Sequence, residues 1–92
     1  MEITTKKWET SEYLDSPEMI QEYLKAAFEE GDSEQLIVAI GNAAKARGMS
    51  EIAKETDLSR QNLYKSLSPN GSPQFETVKK VIEALGCKLS VV

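Results

Sequence analysis

The 92-residue chain contains no histidine, one cysteine and one tryptophan. Without imidazole, Ser-His-Asp and Cys-His nucleophile arrangements and His-liganded zinc are excluded. The single thiol, Cys87, has no second cysteine with which to form an internal disulfide. No apolar run approaches the roughly 20 residues of a membrane span or resembles a signal peptide. These absences lead to the expectation of a reduced, cytoplasmic protein with no metal, no cofactor and no enzymatic chemistry. Glu55 with Asp57, or Cys87 with Lys88, are the nearest things to catalytic pairs, and neither has a base, a Gly-rich loop or a metal partner beside it. A chain of this length forms one small domain with a modest core, so partner surfaces are worth seeking.

What is present is an uneven distribution of charge. The total is −4, yet residues 1–36 carry ten acids and three bases while residues 37–92 carry eight bases and five acids. A net of −7 followed by a net of +3 points to two surfaces with different partners, one basic and one polyanionic, or simply to differently solvated faces.

The pattern predicts an all-α, five-helix domain ending in a short strand. Residues 1–14 form an N-terminal arm without a clean period, although it holds Trp8, Tyr13 and Leu14. Residues 15–48 contain two helices. Ser16 is the N-cap of the first, with Pro17 at its first position and Glu18 against the dipole, and Gly31 is its end. Met19, Ile20, Tyr23, Leu24, Ala27 and Phe28 form one apolar stripe along it. Asp32 opens the second helix, with Gln35 as the other half of a capping box, and Leu36, Ile40, Ala43, Ala44 and Arg47 extend the stripe to Gly48.

Residues 49–67 hold two short helices, Ser50 to Thr56 and Arg60 to Leu67, separated by only Asp57, Leu58 and Ser59. This is the layout of a helix-turn-helix. Ala53 is small where the helices would touch, Asp57 tolerates left-handed geometry, and Ser59 caps the second helix. Ile52, Leu58, Leu63 and Leu67 are spaced for burial. Arg60, Gln61 and Asn62 are then the candidate base readers, because Arg can bind guanine and Gln or Asn adenine in bidentate fashion. Ser59, Tyr64, Lys65 and Lys54 suit phosphates through hydroxyl or charge, although polar residues after a Ser cap also make an ordinary solvated face.

A turn-rich loop, Ser68 to Pro73, ends this unit, and a last helix within residues 74–86 carries the stripe Phe75, Val78, Ile82 and Leu85 before Gly86. The tail, residues 87–92, alternates apolar and polar residues as a strand would, with Leu89 and Val91 on one face. A solitary strand either pairs with a second copy, making a two-fold dimer, or frays.

From Gly41 to Leu89 the chain resembles the helix-turn-helix antidote proteins of bacterial addiction modules, a branch of the Xre/Cro-like repressors. The matching residues include Ala46-Arg47-Gly48-Met49-Ser50, Ile52-Ala53, Leu58-Ser59-Arg60, Leu63-Tyr64-Lys65, Gly71, Pro73, Thr77-Val78 and Ala84-Leu85-Gly86. Tyr13-Leu14-Asp15, Pro17-Glu18 and Gly31-Asp32 extend the likeness upstream. The chain departs from the family at Asp57, where Gly is usual, and at Ser72, where Asn is common.

The resemblance implies a type II toxin-antitoxin antidote that neutralises a basic RelE/ParE-like toxin and represses its own operon by binding operator DNA. It places Trp8, Tyr13 and Leu14 either as toxin anchors or as parts of the antidote's own core. In a dimer, two recognition helices would enter successive major grooves about 34 Å apart. Competing readings are a stand-alone Xre-type repressor and an interaction module without DNA binding.

Overall fold

The computed structural model describes residues 16–90, so the arm residues Trp8, Tyr13 and Leu14 and the tail residue Val91 lie outside it. Five helices make up the described chain: α1 Pro17–Glu30, α2 Ser33–Arg47, α3 Met49–Thr56, α4 Arg60–Ser66 and α5 Phe75–Ala84.

Local chemistry accounts for each boundary. Ser16 Oγ accepts from the Met19 N–H at 3.2 Å and Asp32 Oδ1 accepts from the Gln35 N–H at 2.9 Å, each satisfying one amide that the first helical turn leaves without a partner. At Asp32 only this half of the expected capping box exists; the return bond from the Gln35 side chain is not formed. Gly48 ends α2 at φ 114° and Gly86 follows α5 at φ 87°, a backbone region that costs glycine little. The Cys87 N–H closes the end of α5 by donating to the Ile82 carbonyl at 3.1 Å.

The core is one cluster to which every helix contributes. Ile40, Ile52, Leu63, Val81 and Ile82 are fully buried, joined by Ile20 and Leu24 from α1 and by Leu67 and Leu85 just beyond α4 and α5. Helix α1 packs on α2, α2 on α3 and α5, and α3 on both α4 and α5. Close approach depends on small residues as well as large ones. A Cβ added at Gly41 would stand 2.5 Å from the Leu67 carbonyl oxygen, so α2 and the end of α4 meet backbone to backbone. Two polar links reinforce the packing: Asn42 Nδ2 donates to the Tyr23 hydroxyl at 3.1 Å, and the buried Thr56 hydroxyl donates to the Ile52 carbonyl at 2.7 Å.

Two expectations need correction. Phe75, placed in the core stripe of the last helix, is 71% exposed, because the first turn of α5 projects past the buried cluster. Phe28, placed in the stripe of α1, is 45% exposed for the same reason at the last turn of its helix. No strand occurs among the described residues: residues 87–90 are irregular, since a strand is defined by a ladder and a single tail has nothing to pair with. Leu89 instead packs half-buried against the core cluster.

The turn between α3 and α4 stores some strain. Asp57 lies in the left-handed region at φ 61° and ψ 34°, the only non-glycine residue at positive φ among those described. The Leu58 N–H donates across this turn to the Ala53 carbonyl at 3.1 Å. Glycine removes the steric cost of that conformation but adds freedom to the unfolded chain. The Asp57→Gly variant is therefore expected to be more stable by about 0.5 kcal/mol, a rise of about 2–4 °C in melting temperature by circular dichroism.

Candidate nucleic-acid interface

Helix α4 has only seven residues, too few to hold itself together, and its orientation comes from its inner face. Leu63 is fully buried and Leu67 nearly so. With these two turned inward, Arg60, Gln61, Asn62, Tyr64 and Lys65 are all exposed. Ser59 precedes them in extended backbone, and its Oγ accepts from the Asn62 N–H at 3.0 Å, so Ser59 is committed to the cap. Lys54 is exposed on α3, across the turn.

The predicted base-reading and phosphate-binding residues are therefore all exposed, most of them on the solvent side of α4. The Arg60 guanidinium lies 5.7 Å from the centroid of the Tyr64 ring, one helical turn on. This cation–π contact restrains the arginine without consuming its hydrogen-bond donors. On α3, Glu55 is partnered by Arg47 at 3.5 Å, and Arg47 also donates to the Ala84 carbonyl at 2.8 Å. That clamp leaves Glu51 and Asp57 as the carboxylates without an ion pair here, beside the cations Lys54, Arg60 and Lys65.

A pocket of about 560 Å³ adjoins this surface, and sequence reasoning did not anticipate it. Asn62 and Lys65 line one side; Asn70, Ser72, Gln74 and Thr77, from the loop and the start of α5, line the other. The loop sits close because Gly71 carries no side chain: a Cβ there would fall 2.0 Å from the Ser66 carbonyl oxygen. The only available signal was the Gly71 and Pro73 turn itself. Exposed amide and hydroxyl side chains beside a lysine are suited to phosphate oxygens.

Among the described residues, no group of His, Cys, Asp and Glu side chains is arranged to hold a metal ion, and no helix is long and apolar enough to cross a membrane. The expected partner residues Trp8, Tyr13 and Leu14 fall outside the described residues.

A short helical hairpin with a polar outward face is a feature of helix-turn-helix proteins, and comparison of the sequence with known families gives a more particular answer. Residues 4–92 match the family described as "probable addiction module antidote protein", and the chain belongs to that family. It is 43% identical over 86 residues to an uncharacterized protein of Haemophilus influenzae (strain Rd), the match covering 94% of this chain and 89% of that protein. No solved structure matches it.

The Ser59 cap supports a helix with little stability of its own. Ser59→Ala is expected to cost about 1 kcal/mol, lowering the melting temperature by about 4–8 °C in a thermal scan followed by circular dichroism.

Proposed function

We propose that this chain is the antidote of a type II toxin-antitoxin pair, that it neutralises a small basic toxin of the RelE/ParE-like type, and that it binds operator DNA to repress its own operon. Its membership of the antidote family over residues 4–92 carries the first part. The carboxylate-rich α1 region supports a basic partner: residues 17–34 hold six acids and one lysine. Trp8, Tyr13 and Leu14 are the candidate apolar anchors for that partner.

The DNA-binding part rests on the outward face of α4. In this reading α3 crosses the backbone and α4 lies in the major groove, with Arg60, Gln61 and Asn62 at base edges near its N-terminus. Lys65, Lys54 and Tyr64 bind phosphates, Ser59 positions the helix end, and Asn70, Ser72 and Gln74 extend the backbone contacts along the loop. Operator recognition is by a homodimer. Two copies place their α4 helices about 34 Å apart. The chain acts by binding alone, in the cytoplasm, with no cofactor.

Expression of the small open reading frame adjacent to this gene tests the antidote role directly. Growth arrest that co-expression of this chain relieves, with co-purification of the two products, is the expected result. Absence of toxicity and of a complex would leave a stand-alone repressor. For DNA, the Arg60→Ala, Gln61→Ala double variant is expected to lose about 30-fold or more in operator affinity by fluorescence anisotropy while still neutralising toxin. Lys65→Ala should weaken all DNA equally and reduce the salt slope by about 1.

A further inference from the structure

On the side of the molecule built from α1 and the tail lies a groove of about 500 Å³. Leu24, Phe28, Ile82, Cys87 and Leu89 form its apolar lining, and Lys25, Glu29 and Lys88 stand along it. Phe28 is 45% exposed here, an aromatic ring left half in water beside an open apolar cleft. Of the acids of this part of the chain, Glu29 lines the groove; Glu18, Glu22 and Glu30 elsewhere on α1, with Asp32 and Glu34 just beyond it, are also exposed, and none of the six is in an ion pair with a described residue.

We infer that this groove is the docking site for the toxin, and that it takes an apolar segment of a cationic protein with Phe28 as the central anchor. The inference rests on the antidote reading and deepens it, since it adds to the arm a preformed surface on the folded domain. Charge complementarity selects the partner. Six carboxylates on α1 and at its junction with α2 attract a basic protein, while Lys25 and Lys88 keep cationic side chains off the groove walls. The segment that enters is therefore apolar, and its positive charge lies around the rim. Aromatic anchors in such pockets carry much of an interface's binding energy.

A second copy of this chain is a poor occupant. Two copies joined through their α1 sides would bring the exposed Glu18, Glu22, Glu29 and Glu30 of each toward those of the other, a like-charge approach that a basic partner avoids. The groove also shares no residue with α3, α4 or the pocket beside α4, so toxin and operator have separate places on the domain.

The test uses the full chain and the product of the adjacent open reading frame as the toxin. Phe28→Lys removes the anchor and adds a like charge, yet lysine near the C-terminus of a helix favours folding. The expected result is toxin affinity lowered about tenfold or more, with unchanged melting temperature and operator affinity. Cys87, the sole thiol, supplies a second readout in the wild-type chain. Its alkylation by N-ethylmaleimide should slow severalfold when toxin is bound. Burial holds this thiol above its ordinary pKa, so the rate is best followed at alkaline pH.

Toxin binding by Phe28→Lys equal to that of the wild type, or unprotected Cys87 in the complex, would overturn the inference and leave the antidote reading standing. Protection of Cys87 without toxin, relieved by dilution or by deletion of residues 1–14, would assign the groove to a second copy or to the chain's own arm, and equally overturn it. If the wild-type chain neither relieves arrest nor binds, the antidote reading fails and the groove assignment falls with it.

Discussion

Burial of Leu63 and Leu67 is the interaction on which the outward surface of α4 depends. An isolated helix of fewer than about 12 residues has almost no population in water, because nucleation costs more than a few hydrogen bonds return. At seven residues, α4 exists because its inner side joins Ile40, Ile52, Val81 and Ile82 in the core and because Ser59 satisfies an amide at its start. The orientation of Arg60, Gln61, Asn62, Tyr64 and Lys65 follows from that anchoring. Loss of the core contacts would not merely loosen the helix; it would remove the surface.

Arg47 shows how a weak interaction can still matter to geometry. Its bonds to Glu55 and to the Ala84 carbonyl are half exposed and contribute little net stability. They nevertheless connect the ends of α2 and α5 to α3. They also withdraw one carboxylate charge from the surface proposed to meet phosphates. The acids of α1 have no such partners among the described residues, so the net negative charge of that helix is not cancelled by local ion pairs.

The helices were legible because their ends are written in short-range chemistry. Ser16, Asp32 and Ser59 each cap a helix through the amide three residues on, and Gly48 and Gly86 adopt positive φ where their helices stop. The exposure of the candidate DNA residues followed from the same kind of pattern, since the spacing of Leu63 and Leu67 already divides α4 into two faces. Phe28 and Phe75 were misplaced because periodicity tells which residues share a stripe, not how far the core extends along it. The pocket beside α4 escaped notice because its two walls are distant in sequence and meet only when Gly71 lets the loop lie on α4.

The sequence by itself determined the helix boundaries, the turn between α3 and α4, the division of charge and the exclusion of imidazole chemistry. These depend on residue identity and on neighbours a few positions away. Only the tertiary structure decided that Phe28 borders an open groove, that Phe75 faces water, that Arg47 bridges three helices and that Asn70, Ser72 and Gln74 stand beside Lys65. Burial and proximity belong to assembled surfaces, and no local period carries the information about which surface arrives opposite which.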